Sequence, residues 1–230
     1  MNEIMGNSLF FGVMISVAAY EIGVLLKKKF KLAIFNPLLI AIAVIIVILA
    51  ITGVEYDTYN DGAKYLSYLL TPATVCLAVP LYEQLEILKK NLKAILAGIL
   101  AGALTSVTSV LILAIPFGLS HEEYVTLLPK SITTAIGMGV SEELGGIVTI
   151  TVAVIIITGV LGNMFAEVVC RIFRIEEPIA KGIGIGSASH AIGTAKAMEL
   201  GDIEGAMSSL SIAVSGLITV ILASVYAQFL

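Results

Sequence analysis

Charged side chains are scarce in this sequence. Asp, Glu, Lys and Arg make up 13% of its 230 residues, whereas hydrophobic residues make up 58%. About a quarter of the residues of a typical soluble domain are charged, and the mean hydropathy here is +1.03. These values exclude a soluble monomer, and no polar stretch is long enough to form a separate soluble domain. The sequence therefore predicts one all-α, multi-pass membrane domain over residues 1–230, with the lipid bilayer and not nucleic acid as its surroundings.

Cysteines are few, and a leader-like segment is absent. The two cysteines, Cys76 and Cys170, lie inside apolar runs, which argues against both a disulfide framework and a metal site. Residues 1–8 have neither a basic leader region nor a small-residue cleavage site, so they are expected to be part of the mature protein. We predict no metal ligands and no cofactor.

Six apolar runs are long enough to cross a bilayer. They lie at about 8–26, 34–52, 65–82, 94–115, 148–170 and 206–229. The third run contains Pro72 and Pro80, each of which removes a helical hydrogen bond, so this run is either a broken or a kinked helix.

Basic residues cluster in three of the segments between these runs. Cytoplasmic loops are enriched in Lys and Arg, so residues 27–31, 89–93 and 171–181 are expected to face the cytoplasm. Residues 53–64 and 117–130 are then external loops. This orientation predicts a cell-membrane protein with both termini outside.

Two related segments lie among these apolar runs. Residues 131–147 read SITTAIGMGVSEELGGI and residues 187–203 read SASHAIGTAKAMELGDI, and the two agree at 8 of 17 positions without a gap. Background composition would give about one or two matches. Each segment is polar at its head and is followed by an apolar run. A repeated, interrupted segment of this kind is typical of the binding site of a transporter.

The basic loops also constrain how these two segments meet the membrane. If the fourth run ends outside and the fifth starts outside, residues 131–147 must enter and leave on the outer side. Residues 187–203, starting inside, would dip in from the inner side. The sequence thus favours about six crossings plus two re-entrant or broken segments forming an inverted repeat. The alternative has eight full crossings and places the cluster at 171–181 outside.

The polar heads of the two segments are the candidate binding site. A half-helix that begins there presents free backbone amides, which carry partial positive charge and attract anions. Hydroxyl groups add hydrogen bonds, and the ligand that fits is a small carboxylate. The alternative is that the hydroxyls only cap the half-helices and that the histidine is a satisfied interior group. The candidate substrate-binding residues are Ser131, Thr133, Thr134, Ser189, His190 and Thr194.

Four charged residues in or beside the same segments are candidates for charge or ion coupling. Lys130 and Lys196 could add positive charge to the site. Glu143 and Glu199 occupy equivalent positions in the two segments and could couple transport to protons or sodium. Both glutamates could equally be solvated turn residues, and Lys196 and Glu199, three residues apart, could simply pair.

Five short motifs carry a family resemblance. They are Asn36-Pro37-Leu38-Leu39, Pro80-Leu81-Tyr82-Glu83-Gln84, residues 128–134, residues 189–195 and residues 204–210. Together they resemble the LrgB/CidB family of bacterial membrane proteins, in the same order and over nearly the whole chain. Glu142 and Glu143 depart from the small residues common there, which weakens a coupling role for Glu143.

The resemblance implies two functions that differ in kind. Members of the family are called antiholin-like proteins, are tied to control of murein hydrolase activity and act beside a small LrgA/CidA partner. Relatives are linked to pyruvate uptake, and the plastid glycolate/glycerate translocator contains a similar domain. Our main hypothesis is a carrier for a small monocarboxylate, such as pyruvate, glycolate or glycerate. The alternative is an antiholin-like regulator of a holin and murein hydrolase system. We expect no enzymatic activity, and the small-residue faces of the fourth run would suit a homodimer.

Overall fold

The computed structural model describes residues 10–30, 32 and 35–230, and this part of the chain is helical without a strand. The predicted start of the first span, the assessment of residues 1–8 and Lys31 lie outside the described residues. The helices are α1 Phe11–Phe30, α2 Pro37–Thr52, α3 Tyr56–Ser67, α4 Leu70–Cys76, α5 Ala78–Glu83, α6 Leu85–Phe117, α7 His121–Leu127, α8 Thr134–Glu143, α9 Val148–Ile172, α10 Pro178–Leu200 and α11 Asp202–Tyr226, followed by a 3-10 turn at Ala227–Phe229.

Contacts between Cα atoms divide the chain into two compact units, Met1–Cys76 and Leu77–Leu230. In the first unit, α1 packs against α2 and α3. The packing is close because Gly12 faces the backbone of α3 and Gly23 faces that of Pro37, so a Cβ atom at either glycine would collide. Asn36 begins α2 by accepting hydrogen bonds from the amides of the next two non-proline residues, as expected of a helix cap.

Four helical stretches in the described residues are long and apolar enough to cross a membrane. They are Tyr56–Glu83, Leu85–Phe117, Val148–Ile172 and Asp202–Phe229, with Pro37–Thr52 as a shorter apolar helix. The prediction of a multi-pass helical membrane protein is therefore confirmed. α1 carries Glu21 and three lysines in its last turn and is not among the four stretches, so the count of six crossings stays a prediction.

Some predicted boundaries were wrong. Residues 53–64, expected to be an external loop, contain most of α3, and residues 117–130 contain α7 with a complete capping box at Ser120. Residues 89–93 lie in the first turns of α6 because the helix begins at Leu85, well before the apolar run. Charged residues do not end a helix, since Lys and Glu are good helix formers.

Pro72 and Pro80 each occupy the third position of a short helix, where the missing N–H would have no partner in any case.

In the second unit, residues 128–133 connect α7 to α8, and the whole segment is called hairpin 1 (residues 121–143). The amide of Ile147, just after α8, donates to Thr126 Oγ1 on α7 at 2.7 Å. Thr151 Oγ1, on the first turn of α9, donates to the Thr126 carbonyl at 2.9 Å and lies 2.7 Å from Ser141 Oγ. The chain therefore turns at residues 128–133 and returns through α8 to the level of Thr126, near the end of α7.

A second hairpin, called hairpin 2 (residues 178–200), lies within α10. At His190 the backbone has φ 42° and ψ −140°, which divides the helix into α10a (178–189) and α10b (191–200). Ile185 and Ala197, on opposite sides of this break, belong to one buried cluster. A Cβ atom at Gly193 would lie 3.2 Å from the Ile185 carbonyl oxygen. These contacts require α10b to fold back beside α10a.

The two hairpins approach α6 from opposite ends. Along hairpin 2, Ile183 contacts Gly98 and Ser187 contacts Gly102, so α10a runs parallel to α6 from its amino-terminal end. Hairpin 1 follows the carboxyl-terminal end of α6 and descends until Ser131 bonds Ser106. Each hairpin packs in its own apolar cluster. The cluster of hairpin 1 contains Val107, Val110, Tyr124 and Ala223, and that of hairpin 2 contains Ile95, Ile99, Ile183 and Met207. The hairpin tips thus reach adjacent turns near the middle of α6.

Candidate functional site

The tip of hairpin 1 carries a lysine surrounded by hydroxyl groups. Lys130 Nζ donates to Ser131 Oγ at 3.1 Å and to Ser106 Oγ at 3.3 Å, and the two serines are 3.0 Å apart. Among the residues that the structure describes, no carboxylate oxygen lies within 4.0 Å of Lys130 Nζ. Lys130 is half-buried and Ser131 is buried. A desolvated cation without a counter-ion favours an anionic ligand.

Thr133 and Thr134 lie at the start of α8, where the sequence predicted the beginning of a half-helix. Thr133 is the N-cap residue, but its hydroxyl makes no capping hydrogen bond, and both threonines are half-buried. The interpretation of Thr133 as only a helix cap is therefore not supported. Its hydroxyl and the first amides of α8 remain available to a ligand at the tip.

The tip of hairpin 2 is buried and largely satisfied by its own hydrogen bonds. His190 Nε2 lies 3.1 Å from the Ile155 carbonyl oxygen. Thr194 Oγ1 donates to the His190 carbonyl at 2.9 Å and lies 2.7 Å from Ser208 Oγ on α11. Ser189 is buried with its side chain against Gly162, where a Cβ atom would overlap the serine hydroxyl. The tip of hairpin 2 therefore offers ordered polar groups and no Lys, Arg, Asp or Glu side chain.

Two helices bring the hairpin tips together. On α6, Gly102 faces Ser187 and Ser106 bonds Ser131, and positions four apart are neighbours on one helix face. On α9, the Ile155 carbonyl oxygen faces His190 while the Ile155 side chain packs on Gly137 of α8. The structure thus places the two hairpin tips beside adjacent turns of α6 and on either side of Ile155 of α9.

Of the four predicted coupling residues, Lys130 lies at the tip of hairpin 1, whereas Glu143, Lys196 and Glu199 lie away from the tips. Lys196 Nζ bonds Glu199 at 3.1 Å and Glu167 of α9 at 3.0 Å. The expected pair between Lys196 and Glu199 is therefore present, and Glu167 also bonds Lys196 across the helix interface. Lys196 follows His190 by six residues, about 9 Å along α10b, and Glu143 is exposed at the end of α8. In the described part of the chain, no cluster of three His, Cys, Asp or Glu side chains could hold a metal ion.

Sequence reasoning missed three partners of the tips. Ser106 belongs to the fourth run, whose small-residue faces were expected to suit a homodimer, and Ser208 and the Ile155 carbonyl were not singled out. Ser106 and Ser208 each bond a residue of a tip through the side chain. A signal for Ser208 was present, because α11 carries the serines 208, 211 and 215 on one helical stripe, and all three are buried.

The chain is similar to one described family over nearly its full length. A family model described as LrgB-like matches residues 16–229. Three similar proteins are each named "Antiholin-like protein LrgB", from Bacillus mycoides (strain KBAB4), Bacillus cereus (strain B4264) and Bacillus anthracis (strain CDC 684 / NRRL 3495). Each is 38% identical over 222 residues, which cover 96% of this chain and 96% of the relative. No solved structure matches.

Proposed function

Because this chain belongs to the LrgB-like family, and because its two hairpin tips adjoin at the middle of α6, we propose that it carries a small monocarboxylate anion across the membrane. The observation that carries the proposal is Lys130, a half-buried cation bonded to Ser106 and Ser131 with no described carboxylate beside it. A carboxylate could accept hydrogen bonds from all three groups and neutralise the lysine. The amino-terminal amides of α8 would add to this attraction.

The neutral groups of hairpin 2 would set the shape of the site. His190, Ser189 and Thr194 are buried, and His190 and Thr194 are held by hydrogen bonds to α9 and α11. A rigid wall opposite a charged tip favours a compact ligand, such as pyruvate, glycolate or glycerate, over a long-chain acid. Coupling to protons or sodium remains a prediction that rests on the sequence.

The membrane arrangement that we propose has six crossings, with both termini outside and the hairpins entering from opposite sides. The contacts along α6 support this arrangement. Hairpin 2 follows α6 from its amino-terminal end toward the middle, and hairpin 1 follows it from its carboxyl-terminal end toward the middle. Hairpins related by inversion, with a site between their tips, suit alternating access, in which one side opens while the other closes.

Cysteine labelling tests this arrangement. We expect cysteines placed at Glu122 and Glu143, which lie on the two arms of hairpin 1 and are exposed, to react with a membrane-impermeant reagent from the same outer side. A cysteine placed at Lys196, on hairpin 2, should be protected from outside and labelled from inside. The two native cysteines are first replaced by serine as a control. Labelling of the Glu122 and Glu143 positions from opposite sides would support eight crossings instead.

Uptake by the purified protein tests the carrier function. Proteoliposomes should accumulate labelled pyruvate or glycolate with saturation, and Thr134→Ala and His190→Ala should each lower the initial rate about tenfold, the effect of losing roughly one good hydrogen bond. Glu122→Gln, which alters an exposed residue on α7 of hairpin 1, is the matched control and should transport normally. Uptake at the wild-type rate in both site variants would remove the site assignment.

The name of the Bacillus relatives favours a second candidate function, an antiholin-like regulator of a holin and murein hydrolase system. Such a regulator would act through association with a small LrgA/CidA-type partner, or through a homodimer, and not by carrying solute. It predicts stable co-purification with that partner and no saturable uptake by this chain alone. The proteoliposome measurement therefore separates the two functions.

A further inference from the structure

Two adjoining cavities lie between α9 and α10a. The first, of about 390 Å³, surrounds the turn between the two helices, and the second, of about 190 Å³, continues along them toward Gly162 and Ser189. Cys170, Ile175 and Lys181 line both cavities. Together they form one groove, called the α9–α10 groove, with a wide end at the turn and a narrow end inside the helical region.

The wide end carries an excess of positive charge. Arg171, Arg174 and Lys181 line it, together with Glu167 and Glu176. Glu167 already bonds Lys196 at 3.0 Å, whereas the contact of Lys181 with Glu204 is at 4.0 Å, the limit for an ion pair. The arginines are exposed and can present planar, bidentate donors, which match the oxygens of a phosphate group.

The narrow end is apolar and lies along the helices. Phe165 and Val169 are 46% and 44% exposed, although both are large hydrophobic residues. They line this end together with Ala188. From Cys170 to Gly162 the groove follows eight residues of α9, about 12 Å of helix. A small soluble anion would not fill the apolar narrow end, and a neutral lipid would not pair with the charges at the wide end.

We propose that the α9–α10 groove binds an anionic phospholipid, with its phosphate at the arginines and part of an acyl chain along Phe165 and Val169. The basic turn is the end that the distribution of Lys and Arg assigns to the cytoplasm, and the cytoplasmic leaflet is the one rich in anionic lipid. The narrow end reaches Ser189, next to His190. A bound acyl chain would therefore pack against hairpin 2 as far as Ser189, on the side that faces α9.

Native mass spectrometry of the purified full-length protein tests this site by titration with phosphatidylglycerol, phosphatidylcholine and glycerol 3-phosphate. The wild type should retain phosphatidylglycerol in preference to phosphatidylcholine. Arg171→Gln combined with Arg174→Asn should weaken that binding about 30-fold at low salt, since each basic residue contributes about 1 kcal/mol at an anionic lipid surface. Asparagine is chosen because Arg174 has φ 53°, a conformation that asparagine tolerates.

Two further variants separate lipid from other occupants. Gly184→Leu should fill the narrow end, since a Cβ atom at Gly184 meets nothing within 4 Å, and should weaken phosphatidylglycerol binding while leaving glycerol 3-phosphate binding unchanged. Lys89→Gln combined with Lys90→Gln removes two exposed charges from another basic cluster and should leave lipid binding within about twofold of wild type. Equal retention of the two lipids, or an equal loss in the lysine control, would overturn the proposal. Tight glycerol 3-phosphate binding with no effect of Gly184→Leu would instead identify a site for a soluble phosphate.

Discussion

Lys130→Met is expected to lower carboxylate uptake by about 30-fold or more. The lysine donates to Ser106 and Ser131 and has no described carboxylate within ion-pair distance. A hydrogen bond to a charged group contributes about 1.5–3 kcal/mol, and 2 kcal/mol corresponds to about 30-fold in affinity. Methionine keeps the length and apolar stem of the side chain and removes only the charge and its donors. The initial rate in proteoliposomes, measured below the half-saturating concentration, checks this expectation.

Lys196→Met is the matched control because it removes the same charge from a lysine with two partners. Lys196 bonds both Glu167 and Glu199, so its charge is already compensated and it lies away from the tips. We expect its loss to reduce uptake less than Lys130→Met does, and Lys130→Arg to retain most of the wild-type rate. If the two methionine variants lost uptake equally, the loss would not be specific to the charge at the tip of hairpin 1. An inactive Lys130→Arg variant would show that shape at the tip matters more than charge.

The sequence predicted the features that depend on composition and on repetition. The apolar runs predicted the long helices α6, α9 and α11, because burial in lipid requires about 20 apolar residues. The match between residues 131–147 and 187–203 predicted that two short helices would begin at equivalent places. α8 begins at Thr134, and α10b begins after His190, which is the aligned position.

The sequence could not predict which side chains meet, because contacts between distant segments leave no local pattern. Lys130 and Lys196 look equivalent as isolated lysines near polar heads, yet the fold gives Lys196 two carboxylates and Lys130 only hydroxyls. Ser106 lies 24 residues before Lys130, and only the descent of hairpin 1 beside α6 brings the two together. The re-entrant prediction required a reversal in this segment, but the residue at which it occurs was hidden, since neither glycine nor proline occupies position 190.

His190→Gly is expected to be more stable than His190→Ala, which reverses the usual order of these residues in a helix. His190 has φ 42° and ψ −140°, a region that favours glycine, and a residue with a Cβ atom held in such a region costs about 1–3 kcal/mol. Both variants lose the bond from Nε2 to the Ile155 carbonyl, but only glycine relieves the backbone strain. In an ordinary helix, glycine is instead about 0.5–1 kcal/mol less stable than alanine. We expect the glycine variant to exceed the alanine variant by about 1 kcal/mol, as measured by thermal unfolding in detergent.

Uptake measured on the same two variants shows whether transport requires the His190 side chain. In one outcome, His190→Gly unfolds at or above the unfolding temperature of His190→Ala while neither variant transports. The imidazole would then serve transport and not stability, since glycine would be the more stable residue at this turn. Ala191→Gly is the control, because Ala191 is the next residue, is exposed and has no positive φ, so the usual loss of about 1 kcal/mol should appear there. A glycine variant less stable than His190→Ala would mean that the turn does not hold this backbone conformation. Full uptake by His190→Gly would mean that the reversal of the chain, and not the histidine side chain, is what the site requires.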